Sequence, residues 1–308
     1  MVVESSSEQG LILRAGRIAA EAREYAAGLL RPGASARAVC EEVEDFIVRR
    51  GGQPAFPCNF SVNEIAAHYT PGIRDDVRLQ GDEVVKIDVG VHIDGFIADT
   101  ATTVDLSGRW GRLLEAVRSA LEAVVSTVKP GISLYMIGRT IETTIKRHGY
   151  RPIRNLSGHT IGRYLIHAGT TIPNYADRSS FYKRIRPGTL FAVEPFGTNG
   201  KGLVREGSTT NIYSWTGRTP RKPLTSEEQQ LLQHIAMKYR TLPFTPRWLE
   251  PEYGPRVEET IRSLAGKGAL IAYPILVEAG KGTVAQFEHT FLALNDKVIV
   301  TTLSKENT

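Results

Sequence analysis

Four acidic residues and one histidine stand in stretches otherwise built for burial. They are Asp88 and Asp99 in KIDVGVHIDGFIADT (86–100), Glu194 in TLFAVEPFG (189–197), Glu288 in VAQFEHTFLAL (284–294), and His159 in NLSGHTIGRYLIHAG (155–169). Carboxylates brought together in apolar surroundings repel one another and lose hydration, so they persist only with protons or cations between them. Four carboxylates would be neutralised by two divalent ions. Hard oxygen donors with one imidazole suit Mn, Fe, Co or Zn rather than a thiolate-dependent ion. Two ions held about 3.5–4 Å apart would share a hydroxide, polarise a carbonyl and steady a leaving group, which is the chemistry of hydrolysis. A strand also carries aspartates on a wet face, and the hairpin residues taken alone leave both readings open.

Those side chains need elements that aim them. Asp94-Gly95, between two β-branched runs, is the signal for a two-residue hairpin turn. With the turn there, each residue faces the one whose number completes 189, which puts Asp88, Gly90 and His92 on one face with Ile97, Asp99 and Ala101. Asp88 and Asp99 become a diagonal pair, about 7–8 Å apart at the backbone, and Gly90 is expected to leave the space opposite Asp99 open. Glu194 ends an apolar strand and Glu288 is embedded in another; a buried glutamate is rarely left unpaired. His167 lies eight residues beyond His159. That is about 26 Å along a strand or about 12 Å along a helix, so separate roles are expected unless the chain folds back. His92 and His289 adjoin ligand-bearing strands and are expected only to pack or hydrogen-bond. His148 and His234 read as helix-surface residues.

The scaffold repeats. Apolar periodicity predicts helices over about 11–30 and 35–50, and again over about 109–128 and 133–148. Each pair is joined by a Pro-Gly turn, RPGAS and KPGIS, offset by 98 residues (Pro32 to Pro130). The register runs ungapped to RRGGQP and RHGYRP, and NFS (59–61) is echoed by NLS (155–157). Helix, helix, then strands, twice over, predicts an α+β fold of two pseudo-twofold halves with a central antiparallel sheet and outer helices, its cleft lined by both halves. Residues 217–268 break the pattern: Thr225 with Glu228 forms a capping box before a helix to about 240, and a second helix covers about 256–265. This segment is expected to be a helical insert within one domain spanning 1–308.

Composition adds bounds. At 308 residues, 41% hydrophobic and 23% charged, the chain is ordinary for a globular protein rather than a disordered or fibrous one. It has no apolar run of the roughly 18 residues that a membrane span needs, and MVVESSSEQG lacks the basic-then-apolar pattern of a secretory signal. A cytoplasmic protein without membrane contact is expected. Cys40 and Cys58 cannot form a disulfide framework and are read as core or near-surface thiols. The net charge of +5 permits an acidic partner such as ribosomal RNA, but the cations are scattered, and a solvated basic surface serves equally.

KIDVGVHIDGFIADTA, NLSGHTIGRYLIHAG, FAVEPFG and VAQFEHT resemble the four ligand-bearing segments of methionine aminopeptidase type 2, and FPCNFSVNEIAAHYTP (56–71) resembles a fifth, substrate-facing one. The resemblance implies the two-half "pita-bread" fold and a helical insert before the last ligand, in keeping with the separation of 94 positions from Glu194 to Glu288. The lack of a long charged N-terminal extension makes the sequence similar to the archaeal branch. It implies two divalent ions per chain (Co, Mn, Fe or Zn), one on Asp88, Asp99 and Glu288, the other on Asp99, His159, Glu194 and Glu288. Asp99 and Glu288 would bridge them. His68 and His167 would face the scissile amide nitrogen and carbonyl oxygen, and Phe56, Ile166, Phe196 and Tyr273 would line a methionine pocket, although plain core packing also explains each of those four. Some family members place a histidine about eighteen residues beyond the last-but-one ligand, where this chain has Thr210-Asn211-Ile212-Tyr213. The implied activity is removal of N-terminal methionine from nascent polypeptides when the second residue is small, by a monomer in transient contact with the ribosome. Proline-directed peptidases of the same fold share the ligands but carry an additional N-terminal domain, for which the 87 residues before Asp88 leave no room. A binding protein that keeps the fold without catalysis would be expected to have lost ligands.

Overall fold

The computed structural model describes residues 3, 5–75 and 77–303. The first half contains α1 (Ser6–Leu29), α2 (Ala36–Arg49), β1 (Gln53–Pro54), β2 (Asn59–Val62), β3 (Ile65–Ala67), β4 (Val84–Ile93) and β5 (Phe96–Asp105). The second contains α3 (Gly111–Thr127), α4 (Leu134–Arg147), β6 (Arg151–Pro152), β7 (Ser157–Thr160), β8 (Thr171–Pro173), β9 (Leu190–Val193), β10 (Phe196–Thr198) and β11 (Val204–Trp215). Helices α5 (Ser226–Lys238), α6 (Glu250–Tyr253) and α7 (Val257–Gly266) follow. The chain closes with β12 (Leu270–Glu278), β13 (Val284–Gln286), β14 (His289–Ala293) and β15 (Val298–Val300).

The internal repeat is a repeat of hydrogen bonds. Ser35 and Ser133 cap α2 and α4 by accepting from the backbone N–H three residues on. Gly33 and Gly131 both sit at φ 82°, a left-handed conformation that suits glycine at the Pro-Gly turns. Gly33 N–H donates to Leu79 O and Gly131 N–H to Ile185 O. The two short strands that follow pair alike: Gln53 and Pro54 with His92 and Val91, Arg151 and Pro152 with Thr198 and Gly197. The first helix starts at Ser6, five residues earlier than the periodicity predicts, because Ser5 and Glu8 form a reciprocal capping box.

All strand pairs among the described residues are antiparallel, and the strands fall into four hydrogen-bonded sheets. Period-two alternation orients the longest strand. Val85, Ile87, Val89 and Val91 of β4 join the core formed with α1 and α2, which turns Lys86, Asp88, Gly90 and His92 toward the cleft. A matching core joins α3 and α4 to β9 and β14. Between β11 and β12, which pair with one another, α5, α6 and α7 build a core of their own around Leu231, Ile235, Phe244, Ile261 and Leu264. The Thr225–Glu228 capping box is present, and the second expected helix runs Val257–Gly266. Arg247 from this segment makes a bidentate pair with Glu44 of α2 at 2.8 and 2.9 Å, tying it to the first half.

Candidate active site

The β4–β5 ladder follows the register expected of a turn at Asp94-Gly95, from Val84↔Asp105 to Ile93↔Phe96. Both turn residues have positive φ, 50° and 81°, as the two-residue hairpin requires. Asp99 thus faces Gly90, and Asp88 faces Ala101, one step along the same side. The space at Gly90 is filled rather than open. A Cβ there would lie 2.2 Å from the Phe56 ring, so the glycine exists to let that ring reach the cleft.

The glutamates arrive differently. Glu194 lies between β9 and β10; Glu288 is not embedded in a strand but lies in the break between β13 and β14. The pairings Val193↔His289 and Phe196↔Gln286 keep one register across both breaks, which sets Glu194 and Glu288 opposite each other. Glu288 is stitched to β5: its N–H donates to Ala101 O (3.1 Å) and its carbonyl accepts from Thr100 Oγ1 (2.7 Å). Asp99 N–H donates to Thr290 Oγ1 at 2.8 Å, and that hydroxyl donates back to Asp99 O at 2.8 Å. Asn174 donates to Glu194 O and Leu156 O. The acidic groups of the two halves therefore share one framework.

His159, on β7, completes the cluster. Its Nε2 lies 3.6 Å from both Asp99 Oδ2 and Glu194 Oε1, too far for hydrogen bonds and suited to groups sharing a cation. Ligand atoms of Asp99, His159 and Glu288 lie within 4.8 Å of one another, all buried. Asp88 Oδ1, Asp99 Oδ1 and Glu288 Oε1 are buried with no hydrogen-bond partner, which a bound cation would supply. The donor set fits divalent metal. Burial, tempered by hydrogen bonds, raises the Asp88 carboxyl to about 6. Burial first, then neighbouring carboxylates, pushes Asp99, Glu194 and Glu288 well above their ordinary range. Burial and the neighbouring His167 hold His159 far below the usual imidazole value, leaving it neutral and free to ligate.

His167 is not remote from His159: their ring centroids are 4.4 Å apart at right angles. The chain folds back between them through a Gly162–Leu165 bridge, with Tyr164 at φ 55°, and Ala168 N–H returns to Thr160 O. Only His159 meets the carboxylates. His68, at φ 65°, receives its backbone placement from Asn59 Oδ1, and its Nδ1 lies 3.3 Å from Pro274 O. Burial, then His167, lowers its imidazole to about 4.

These groups line one cavity of about 360 Å³, which takes in Asp88, Asp99, His159, Glu194 and Glu288 together with His68 and His167. Phe56, Ile166, Phe196 and Tyr273 line it too, joined by Ile212, the register partner of Tyr273, and by Pro243. Ile212 of the Thr210–Tyr213 stretch thus belongs to the cavity lining. His92 accepts from Gly95 N–H, and His289 Nδ1 lies 2.9 Å from Thr302 Oγ1, so both only hydrogen-bond as expected. His148 and His234 are half-buried rather than on the surface; His234 lies 3.3 Å from Glu252 and stacks edge-on to Tyr253. Cys40 and Cys58 are buried free thiols.

Two residues escape the sequence reading. Gln286 Nε2 lies 3.3–3.5 Å from Asp88, Glu194 and Glu288, gathering three carboxylates. Lys86, fully buried, donates to Asn63 O at 2.7 Å. Each stands two residues before an acidic residue, and in β4 that is same-face spacing, which puts Lys86 on the side of Asp88; the spacing was the available signal.

A buried carboxylate and imidazole cluster, shared by two related halves and opening on an apolar cavity, defines a metal-dependent hydrolase of the pita-bread class. The model of metallopeptidase family M24 matches residues 10–293. The methionine aminopeptidase of Saccharolobus solfataricus is 45% identical over 304 residues, covering 97% of this chain and 99% of the relative. Among solved structures, a thermophilic Arx1 superposes with a TM-score of 0.85 at 17% identity, covering 97% of this chain and 91% of that one. A methionine aminopeptidase of Thermotoga maritima gives 0.71 at 22% identity, covering 98% and 99%. At such identities the two structures speak for the fold alone. The chain belongs to the methionine aminopeptidases of metallopeptidase family M24.

Proposed function

We propose that this chain removes methionine from the N-terminus of polypeptides whose second residue is small, using two divalent ions held between its halves. The observation that carries this reading is the meeting, in one cavity, of a carboxylate cluster with the apolar side chains of Phe56, Ile166, Phe196, Ile212 and Tyr273. Asp88, Asp99 and Glu288 would hold one ion and Asp99, His159, Glu194 and Glu288 the other. When bound, such ions supply Lewis acidity and make water acidic at neutral pH. Co, Mn, Fe and Zn all suit the donors. His68 and His167 face the scissile amide nitrogen and carbonyl oxygen. Phe56, Ile166, Phe196, Tyr273 and Ile212 enclose the methionine side chain, whose burial contributes about 1.5–3 kcal/mol. The insert over 217–268 is a subdomain of the single catalytic domain, and Pro243 is its contribution to the cavity.

The second residue is filtered more sharply, because it must fit beside the metal centre and between His68 and His167. A bulky side chain there displaces the carbonyl, and misplacement by about 1 Å costs roughly 10²-fold in rate. Action on nascent chains places the enzyme in the cytoplasm, as a monomer in transient contact with the ribosome. Among the described residues no helix is long and apolar enough to cross a membrane. A series of Met-X-Ser peptides, with X from Gly and Ala to Leu, Lys and Trp, tests the assignment through kcat/KM. Fast cleavage of Met-Ala-Ser and slow cleavage of Met-Lys-Ser is expected. Equal rates, or faster cleavage of non-methionine peptides before proline, would overturn it.

A further inference from the structure

The repeat supplies an internal control for a surface that the peptidase chemistry leaves unused. In each half a strap runs back over the N-terminus of the second helix: Ala36 N–H donates to Val77 O at 2.8 Å, and Leu134 N–H to Lys183 O at 2.9 Å. Leu79 and Ile185, at matching places, are both buried. Arg78 and Arg184 also match, each donating to the carbonyl of its turn glycine, Gly33 and Gly131. Around these shared anchors the two straps differ in charge. The first reads GIRDDVRLQ (72–80), two cations against two anions. The second reads RSSFYKRIR (178–186), four cations and no anion.

Where the first strap has Asp75, which accepts from the Tyr69 hydroxyl, the second carries Phe181. Phe181 is 50% exposed and the adjoining Tyr182 is 87% exposed, their rings edge to face at 5.2 Å. Phe181 rests one edge on Tyr135 of α4, ring centroids 5.5 Å apart, and leaves its other side, with Tyr182, to solvent. Arg178, Lys183, Arg184 and Arg186 on the same strap are all exposed, Arg184 while donating to Gly131 O at 2.9 Å. Asp177, which precedes the strap, accepts from the Ser179 N–H and hydroxyl and also feels the charge of Lys183.

We propose that this strap binds single-stranded RNA, with Phe181 and Tyr182 stacking on bases and the flanking cations meeting phosphates. Aromatic faces interleaved with cations match a single strand, whose bases are free to stack; a duplex offers phosphates alone. The strap is too short to form the amphipathic helix by which a surface segment enters a lipid interface. An acidic protein would use the cations but not the ring faces. The inference deepens the ribosome contact proposed above by naming a surface, and its failure leaves the peptidase reading untouched.

The test is fluorescence anisotropy of the full chain with a labelled twelve-nucleotide oligouridylate, in low and moderate salt. Competitors are an RNA duplex of equal length, polyglutamate and anionic phospholipid vesicles. Single-strand binding in preference to all three is expected. Phe181→Ala with Tyr182→Ala should weaken it about 10–100-fold with the salt slope unchanged. Lys183→Gln, Arg184→Gln and Arg186→Gln together should lower the slope by about two. Arg74→Gln, on the other strap, should change neither, and hydrolysis of Met-Ala-Ser by every variant should match the parent, showing that each is folded. Equal binding of duplex, polyglutamate or vesicles would overturn the proposal. So would parental affinity in the aromatic double variant, or a loss in Arg74→Gln as large as in the strap variants.

Discussion

The two halves place their acidic residues by different means. In the first, Asp88 and Asp99 ride one unbroken hairpin, and the pleat alone turns both to the cleft. In the second, Glu194 and Glu288 occupy facing breaks where the chain passes from one ladder to another. An intact hairpin yields a diagonal pair at a distance fixed by register. Facing breaks yield a directly opposed pair, held by hydrogen bonds from elsewhere, such as Asn174 on Glu194 O and Thr100 on Glu288 O. One half is therefore a rigid template with the other stitched against it, and Asp99 and Glu288 are where the stitching concentrates.

The comparison breaks most completely at Asp99. Asp99→Asn keeps the shape of the hairpin but removes the charge that is proposed to touch both ions. Loss of at least one metal and of nearly all turnover is expected, measured by metal analysis beside peptide hydrolysis. Next in size is His167. His167→Ala should retain its metal content while kcat falls about 10²–10³-fold, the scale for one donor to a developing oxyanion. Its ring touches His159 without meeting the carboxylates, so a fall in metal content would reassign the ligand.

A smaller effect comes from titration. The Asp88 carboxyl is raised from 3.8 to about 6 in the metal-free fold. A raised carboxyl contributes stability in its protonated form, present in full below pH 3.8 and lost as pH rises through about 6. Asp88→Asn keeps a neutral group and relieves the repulsion that Asp88 exerts on Asp99, Glu194 and Glu288, so in chelator it should equal the parent near pH 4 and be the more stable of the two above pH 6–7. Denaturant melts across that window check the sign. The buried histidines titrate alike in both proteins and cancel in the difference. Metal should reverse the order, stabilising only the parent. The smallest effect sharpens the template itself: Gly90→Ala forces a Cβ into the Phe56 ring, costing about 1–3 kcal/mol and raising KM for Met-Ala-Ser.

Legibility followed the same division. The hairpin register, and with it the Asp88–Asp99 pair, was readable because a turn dipeptide fixes everything around it locally. The helix pairs, their Ser35 and Ser133 caps and the Thr225 capping box were readable for the same reason. The breaks at Glu194 and Glu288 were not, since strand interruption depends on which distant ladder receives each piece. Nor was the approach of His167 to His159, which rests on Tyr164 taking a left-handed conformation that a non-glycine residue seldom shows. Gly90 was misread as making open space because the ring that fills it lies 34 positions earlier, at Phe56. The ligand roles of the glutamates and of His159 came from family resemblance rather than from the local pattern.

The most direct test of a centre shared by both halves is a crystal structure of the chain grown with manganese, read from the anomalous signal of the metal. The account predicts two ions per chain, one held by Asp88, Asp99 and Glu288 and the other by Asp99, His159, Glu194 and Glu288. Ions confined to one half, or His167 in place of His159 as the imidazole ligand, would contradict it.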